Sequence, residues 1–116
     1  IAPVAADVTA PTVIAQLPAA NATVVSQTRN ITATFSEAVT GVRGTTFTLR
    51  NSATGAVVTA AVSRNGTTNQ WILSPNATLS SRTGYTVTLT GGATAIRDLA
   101  GNPLATTSWR FTTGRV

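Results

Sequence analysis

Short runs in which hydrophobic and polar residues alternate recur along the chain. The clearest is residues 85–90, where Tyr85, Val87 and Leu89 alternate with threonines. Successive side chains of an extended strand point to opposite faces, so the three large residues share one side. The run therefore predicts a β-strand with one face buried and the other in water.

Six further runs show the same period of two and are separated by turn residues. They cover residues 12–17, 31–35, 46–50, 57–63, 70–74 and 108–113. The side chains predicted to point inward are Val13, Ala15, Leu17, Ile31, Ala33, Phe35, Phe47, Leu49, Val58, Ala60, Val62, Trp71, Leu73, Trp109 and Phe111. The Asn65-Gly66 pair is a strong hairpin signal and predicts antiparallel pairing of the runs at 57–63 and 70–74. Residues 21–26 are interpreted as a turn that directs Val25 into the core.

The segment before Tyr85 carries a second signal. Leu79 stands six residues ahead of Tyr85, and the tyrosine hydroxyl can hydrogen-bond to upstream backbone. This arrangement is typical of the tyrosine corner of immunoglobulin-like sandwiches. Seven short strands with frequent turns and no helical periodicity favour a sandwich over a barrel. The predicted fold is all-β, a seven-stranded antiparallel immunoglobulin-like β-sandwich.

Length and composition agree with one such domain. The chain has 116 residues and no cysteine, and it is long enough to bury a two-layer core without disulfides. We interpret residues 1–10, which are rich in alanine, as a linker remnant and residues 11–114 as the domain. No apolar run approaches the length needed to span a bilayer, so membrane insertion is not expected.

The formal net charge is +5, and every basic residue is an arginine. The arginines are Arg29, Arg43, Arg50, Arg64, Arg82, Arg97, Arg110 and Arg115. They are spread along the chain and never form a run, whereas nucleic-acid binding usually uses a concentrated basic stripe. We therefore expect a solvated basic surface and no nucleic-acid partner.

Five motifs stand in the order found in one family of domains. They are residues 10–13, residues 31–39 with Phe35-Ser36-Glu37, Leu73-Ser74-Pro75 with Leu79 and Tyr85, residues 98–102, and residues 109–113. Through them the chain resembles the bacterial Ig-like domains of the surface-layer type over nearly its whole length. The resemblance implies a seven-stranded sandwich that serves as a spacer, stalk or interaction module beside another functional domain. It implies no catalytic residues.

Catalytic chemistry has few candidate residues in this chain. Histidine, cysteine and lysine are absent, so the usual general bases and activated nucleophiles are missing. Glu37 and Asp98 are the carboxylates that could form a catalytic pair, and both stand in turn motifs where capping explains them. We expect no enzyme activity in this segment, although a parent protein can carry one elsewhere.

The same polar residues allow a calcium site. Asp98 and Asn102 share a tight loop whose oxygens could bind Ca²⁺, with Glu37 as a further ligand if the two loops meet. In the alternative, Asp98 stabilises its own loop through side-chain to backbone hydrogen bonds. The sequence favours the second interpretation, so no cofactor is expected and calcium is the alternative.

The aromatic residues allow two interpretations. If they are exposed, Trp71, Trp109 and Tyr85 could stack on sugar rings. If they are buried, they form the core together with Leu79, Phe111 and Phe35. The aromatic residues fall on predicted inward positions, so we interpret the six residues as structural, with Trp71 as the aromatic residue best placed for exposure.

The leading functional hypothesis is a non-catalytic spacer or accessory module of a larger secreted or cell-surface bacterial protein. Its expected partners are neighbouring domains of the same polypeptide, and the first and last strands are expected to leave at opposite poles. The alternative is an adhesion module that binds carbohydrate or a protein ligand. We expect a monomer located outside the cell or on its surface.

Overall fold

The computed structural model describes residues 9–114, which form ten β-strands and no helix. The strands are β1 (Val13–Leu17), β2 (Ala22–Val25), β3 (Ile31–Phe35), β4 (Val39–Thr40), β5 (Phe47–Asn51), β6 (Ala60–Arg64), β7 (Gln70–Pro75), β8 (Gly84–Leu89), β9 (Arg97–Asp98) and β10 (Thr107–Thr113). The linker predicted at residues 1–10 falls mostly on residues 1–8, which lie outside the described part.

Eight of the strands form two four-stranded sheets. The first sheet has the order β1-β3-β7-β6 and the second sheet the order β2-β10-β8-β5. The remaining pair, β4 and β9, forms a small sheet of its own. The predicted all-β sandwich is confirmed, and β1 lies at an edge of the first sheet. β6 and β7 pair antiparallel, as the Asn65-Gly66 hairpin signal predicts.

The core lies between the two large sheets. Alternation puts Ile31, Ala33 and Phe35 of β3 on the inner face, each with no exposed surface. On the opposing sheet, Val87 and Leu89 of β8 are equally buried. Threonine fills the outward positions of these strands, where a β-branched polar side chain suits a half-exposed sheet surface.

The predicted strand count and the predicted turn at residues 21–26 were wrong. Ala22–Val25 forms a strand, β2, in the second sheet. The first two strands of the chain, β1 and β2, therefore belong to different sheets. β2 also pairs with β10 in parallel, whereas every other strand pair is antiparallel in the described part. Val24 has a positive φ of 57° at the bulge in this pair. The bulge interrupts the regular alternation of faces, so the strand cannot be recognised from the period of its hydrophobic residues.

The predicted inward face of β1 was also wrong. A bulge between Val13 and Ala15 shifts the register against β3. As a result Leu17 is 45% exposed and Gln16 takes a half-buried position, although period two would put Leu17 inward with Val13. A single extra residue in one strand reverses the faces of every residue after it.

The run at 57–63 begins as strand three residues later than predicted, at Ala60. Val57 forms an isolated bridge with Arg50 of β5, and the amide of Val58 donates to the carbonyl of Leu49 at 2.8 Å. Residues 57–58 thus contact the second sheet before the chain enters the first. The small sheet was not predicted either, because strands of two residues carry no periodic signal.

Candidate functional site

Tyr85, near the start of β8, forms the contact expected of a tyrosine corner. Tyr85 is 4% exposed, and its hydroxyl accepts a 2.9 Å hydrogen bond from the backbone N–H of Ser80. Its ring stacks on Phe111 of β10 with centroids 5.8 Å apart, and Leu79 is buried beside the same corner. The corner therefore fixes the 79–84 turn to both the core and the last strand.

Thr113, at the end of β10, provides a second anchor for the same turn. Its buried hydroxyl donates to the Ser80 carbonyl at 2.5 Å and accepts from the Thr83 N–H at 2.9 Å. The Thr113 amide in turn donates to the Thr83 carbonyl at 3.0 Å. Residues 80–83 are therefore bound to β10 by side-chain and backbone bonds together.

The two tryptophans occupy different environments. Trp109 is 5% exposed, and its indole Nε1–H donates to the Pro18 carbonyl at 2.9 Å, so its one polar atom has a partner. Trp71 is half-buried and packs on the edge of the core. Neither Trp109 nor the fully buried Phe35 offers a face to a sugar ring.

Asp98 forms a compact loop with the residues that follow it. The side chain is 1% exposed, and Oδ1 accepts hydrogen bonds from the amides of Ala100 and Asn102 at 3.0 and 2.8 Å. Oδ2 accepts from Asn102 Nδ2 at 2.9 Å. Both carboxylate oxygens therefore hold the loop itself, which is the non-metal interpretation of this motif.

Glu37 lies in the neighbouring loop. It is half-buried, and Val39, two residues on, pairs with Asp98 across the small sheet. The two loops thus meet, as the calcium hypothesis requires. No cluster of three or more metal-ligating His, Cys, Asp or Glu side chains occurs in residues 9–114. Calcium binding by Asp98, Asn102 and Glu37 stays a prediction that needs its own experiment.

Residues 7–113 match the family described as bacterial Ig-like domain. The chain belongs to this family. No curated protein matches the chain.

Solved structures share the fold of this bacterial Ig-like domain. The N-terminal part of the bacterial S-layer protein SbsC superimposes with a TM-score of 0.66 at 19% identity, covering 91% of this chain and 24% of that one. PcoC, a methionine-rich copper resistance protein from Escherichia coli, gives 0.72 at 21% identity, with 90% and 99% covered. CopC from Methylosinus trichosporium OB3b gives 0.70 at 14% identity, with 90% and 93% covered.

These likenesses are similarities of fold alone. The Ig-like domain contains no methionine, cysteine or histidine, which are the soft and imidazole ligands that copper favours. The chain also spans only about a quarter of the SbsC N-terminal part that it matches.

A polar cavity of about 310 Å³ lies between residues 27–30 and 74–78. Amide and hydroxyl groups line it, and neither Glu37 nor Asp98 contributes.

No helix long and apolar enough to cross a membrane occurs among the described residues.

Sequence reasoning missed two buried threonines that hold loops of the domain. Thr46 is 3% exposed; its hydroxyl donates to the Gly41 carbonyl at 2.5 Å and accepts from the Arg43 N–H at 3.0 Å. Thr113 is 2% exposed, and its hydroxyl bonds to the backbone of Ser80 and Thr83. Alternation from Trp109 and Phe111 would have placed Thr113 inward, so the signal existed for that residue.

Proposed function

We propose that this bacterial Ig-like domain is a non-catalytic spacer or accessory module of a larger secreted or cell-surface bacterial protein. In this role it holds the domains before and after it at a fixed separation. The supporting observation is that the backbone enters the sandwich at one end and leaves it at the other.

The entry end is defined by contacts of Thr12. Its carbonyl accepts from the Ser36 N–H at 2.8 Å, and its amide donates to Ser36 Oγ at 2.9 Å. Ser36 directly follows Phe35, the last residue of β3. The chain therefore enters β1 beside the C-terminal end of β3.

The exit end is defined by Gly114. Its amide donates to the Val25 carbonyl at 3.0 Å, and its carbonyl accepts from the Arg82 N–H at 3.1 Å. Val25 ends β2, from which the chain leads to Ile31 at the start of β3. Entry and exit therefore lie toward opposite ends of β3.

The exit is also stiffly held, which a spacer needs. Bonds on both sides fix Gly114, and Thr113 is bound to the 80–83 turn through its side chain and backbone. A neighbour joined at this end would start from a fixed position. That the S-layer protein SbsC contains the same fold as a part of a longer chain supports a modular role and a location outside the cell.

The proposal is tested by joining two copies of the chain end to end and measuring small-angle X-ray scattering against the single copy. We expect an elongated particle whose maximum dimension is nearly twice that of one copy. Two copies folded side by side, with a much smaller maximum dimension, would contradict the spacer role. Unfolding of the tandem at the temperature of the single copy would show that each module is independent.

A further inference from the structure

The outer face of the second sheet brings together two arginines that are far apart in sequence. Thr86 of β8 pairs with Arg50 of β5 on one side and with Arg110 of β10 on the other. The three residues form one row across three strands, with the arginine Cα atoms about 10 Å apart at two strand spacings. Both arginines are exposed.

Hydroxyl groups surround this row. Ser52 Oγ and Thr86 Oγ1 are 2.8 Å apart, and the next row along the sheet pairs Thr88 with Thr48 and Ser108. Gly84 has no side chain to cover the row. A Cβ built there would be 3.2 Å from an Arg110 guanidinium nitrogen and 3.7 Å from Ser52 Oγ.

The electrostatics of this face favour an anion. Strands β2, β5, β8 and β10 contain no acidic residue. Glu37 and Asp98, the acidic residues of the described part, lie at the small sheet, beyond the Leu89 end of β8. The Arg50 guanidinium donates to the Gly55 carbonyl at 3.2 Å, which positions it at the turn that carries Ser52.

The geometry points to a binding site for an anionic polysaccharide on this face. We define the basic face as Arg50, Ser52, Thr86 and Arg110. The guanidinium groups would each bind a carboxylate or phosphate group of the polymer, and the hydroxyls would bond to its sugar hydroxyls. The site goes beyond the spacer role, because it would attach the module to a surface polymer as well as separate its neighbours.

A sugar polymer fits this face better than a nucleic acid. Single-stranded nucleic acids bind mainly by stacking bases on aromatic side chains beside a basic groove. On β5, β8 and β10 the aromatic residues Phe47, Tyr85, Trp109 and Phe111 are all buried. The outward positions instead carry hydroxyls and arginine.

Affinity electrophoresis of the whole chain tests the inference directly. The gels contain polygalacturonate as the carboxylate probe, a glycerol-phosphate polymer as the phosphate probe, neutral dextran, or oligo(dT). We expect retardation by one or both acidic polymers that weakens with added salt, and none by dextran. No retardation by either acidic polymer, or stronger retention by oligo(dT), would overturn the inference. Retardation by one acidic polymer alone would identify the anion.

Matched double variants then locate the site. Arg50→Gln with Arg110→Gln should weaken binding of the acidic polymer by about tenfold or more, because each guanidinium is a charge-assisted donor. Arg29→Gln with Arg64→Gln removes the same charge from other surfaces and should weaken it by about threefold at most. Equal losses in both double variants would mean attraction by net charge alone and would overturn the site.

A third variant keeps both arginines. Ser52→Asp puts a carboxylate beside Arg110 in an exposed turn and should block the polymer as strongly as the arginine pair does. Unchanged binding by this variant would overturn the basic face. The scattering of the tandem does not depend on these side chains, so a failed spacer role and a failed binding site would be distinguished.

Discussion

The hydroxyl of Tyr85 stabilises the turn at residues 79–84 through a single hydrogen bond. Tyr85→Phe removes the acceptor for the Ser80 N–H and leaves the stacked ring in place. We expect the free energy of unfolding to fall by about 1 kcal/mol, measured by urea denaturation. Thr88→Val, which removes an outward hydroxyl from the same strand, should change it much less. Equal effects would mean that the corner contact contributes nothing.

Asp98 is the buried carboxylate on which the 98–102 loop depends. Asp98→Asn would turn an amide toward Asn102 Nδ2, so two donors would face each other, and it would weaken the remaining bonds by removing the charge. We expect a loss of about 1–3 kcal/mol in the free energy of unfolding. Circular dichroism during urea titration measures it.

The same residue decides the calcium hypothesis. Because both Asp98 oxygens already bind loop donors, millimolar Ca²⁺ should leave the melting temperature of the unaltered chain unchanged. A ligand that binds the native state alone would raise it. A rise that disappears in Asp98→Asn and in Glu37→Gln would establish a calcium site across the two loops.

For single residues, the sequence correctly predicted burial wherever hydrophobic and polar residues alternate regularly along a strand. Tyr85, Trp109 and Phe35 are buried because each occupies an inward position of a regular strand. Leu17 was misplaced because a bulge in β1 interrupts the period. The pairing of Arg50 with Arg110 around Thr86 depends on strand order, which local patterns do not contain.

Among the connecting elements, the segment after β8 contains one position, Gly91, where a larger side chain has no room. A Cβ built on Gly91 would lie 1.6 Å from the carbonyl oxygen of Leu104, so Gly91→Ala must displace backbone. We expect it to reduce the free energy of unfolding by about 3 kcal/mol. Gly44→Ala is the control, since nothing lies within 4 Å of its Cβ position, and it should be nearly neutral. Equal urea midpoints for the two variants would contradict this packing.

Elements were predicted well where hydrophobic alternation is uninterrupted and poorly where a bulge, a change of sheet or a positive φ interrupts it. β3, β5, β7, β8 and β10 follow their sequence runs to within two residues. β2 was missed because Asn21 and Val24 have positive φ, so its four residues show no regular faces. β2 is a strand through its pairing with β10, and a pairing between residues so far apart in sequence cannot be predicted from a local sequence window.

For the whole molecule, the parallel pairing of β2 with β10 has a mechanical consequence. Force applied between the entry and exit ends pulls these two strands past each other and loads their hydrogen bonds together. The bonds from Asn21 N–H to the Arg110 carbonyl and from Gly114 N–H to the Val25 carbonyl are 2.7 and 3.0 Å long. Bonds loaded together in shear resist more force than bonds broken one after another.

Single-molecule pulling in two directions tests this resistance. The chain has no cysteine, so Thr59→Cys with Asn76→Cys gives unique handles at the open end of the β6–β7 hairpin, where the Asn76 amide donates to the Thr59 carbonyl. Force between these handles opens the hairpin one bond at a time, whereas force between the chain ends shears β2 against β10. We expect a clearly higher unfolding force from the chain ends at equal pulling speed. Similar forces in both directions would mean that the β2–β10 pair bears no load. A spacer under tension would then have to resist unfolding through its antiparallel strand pairs.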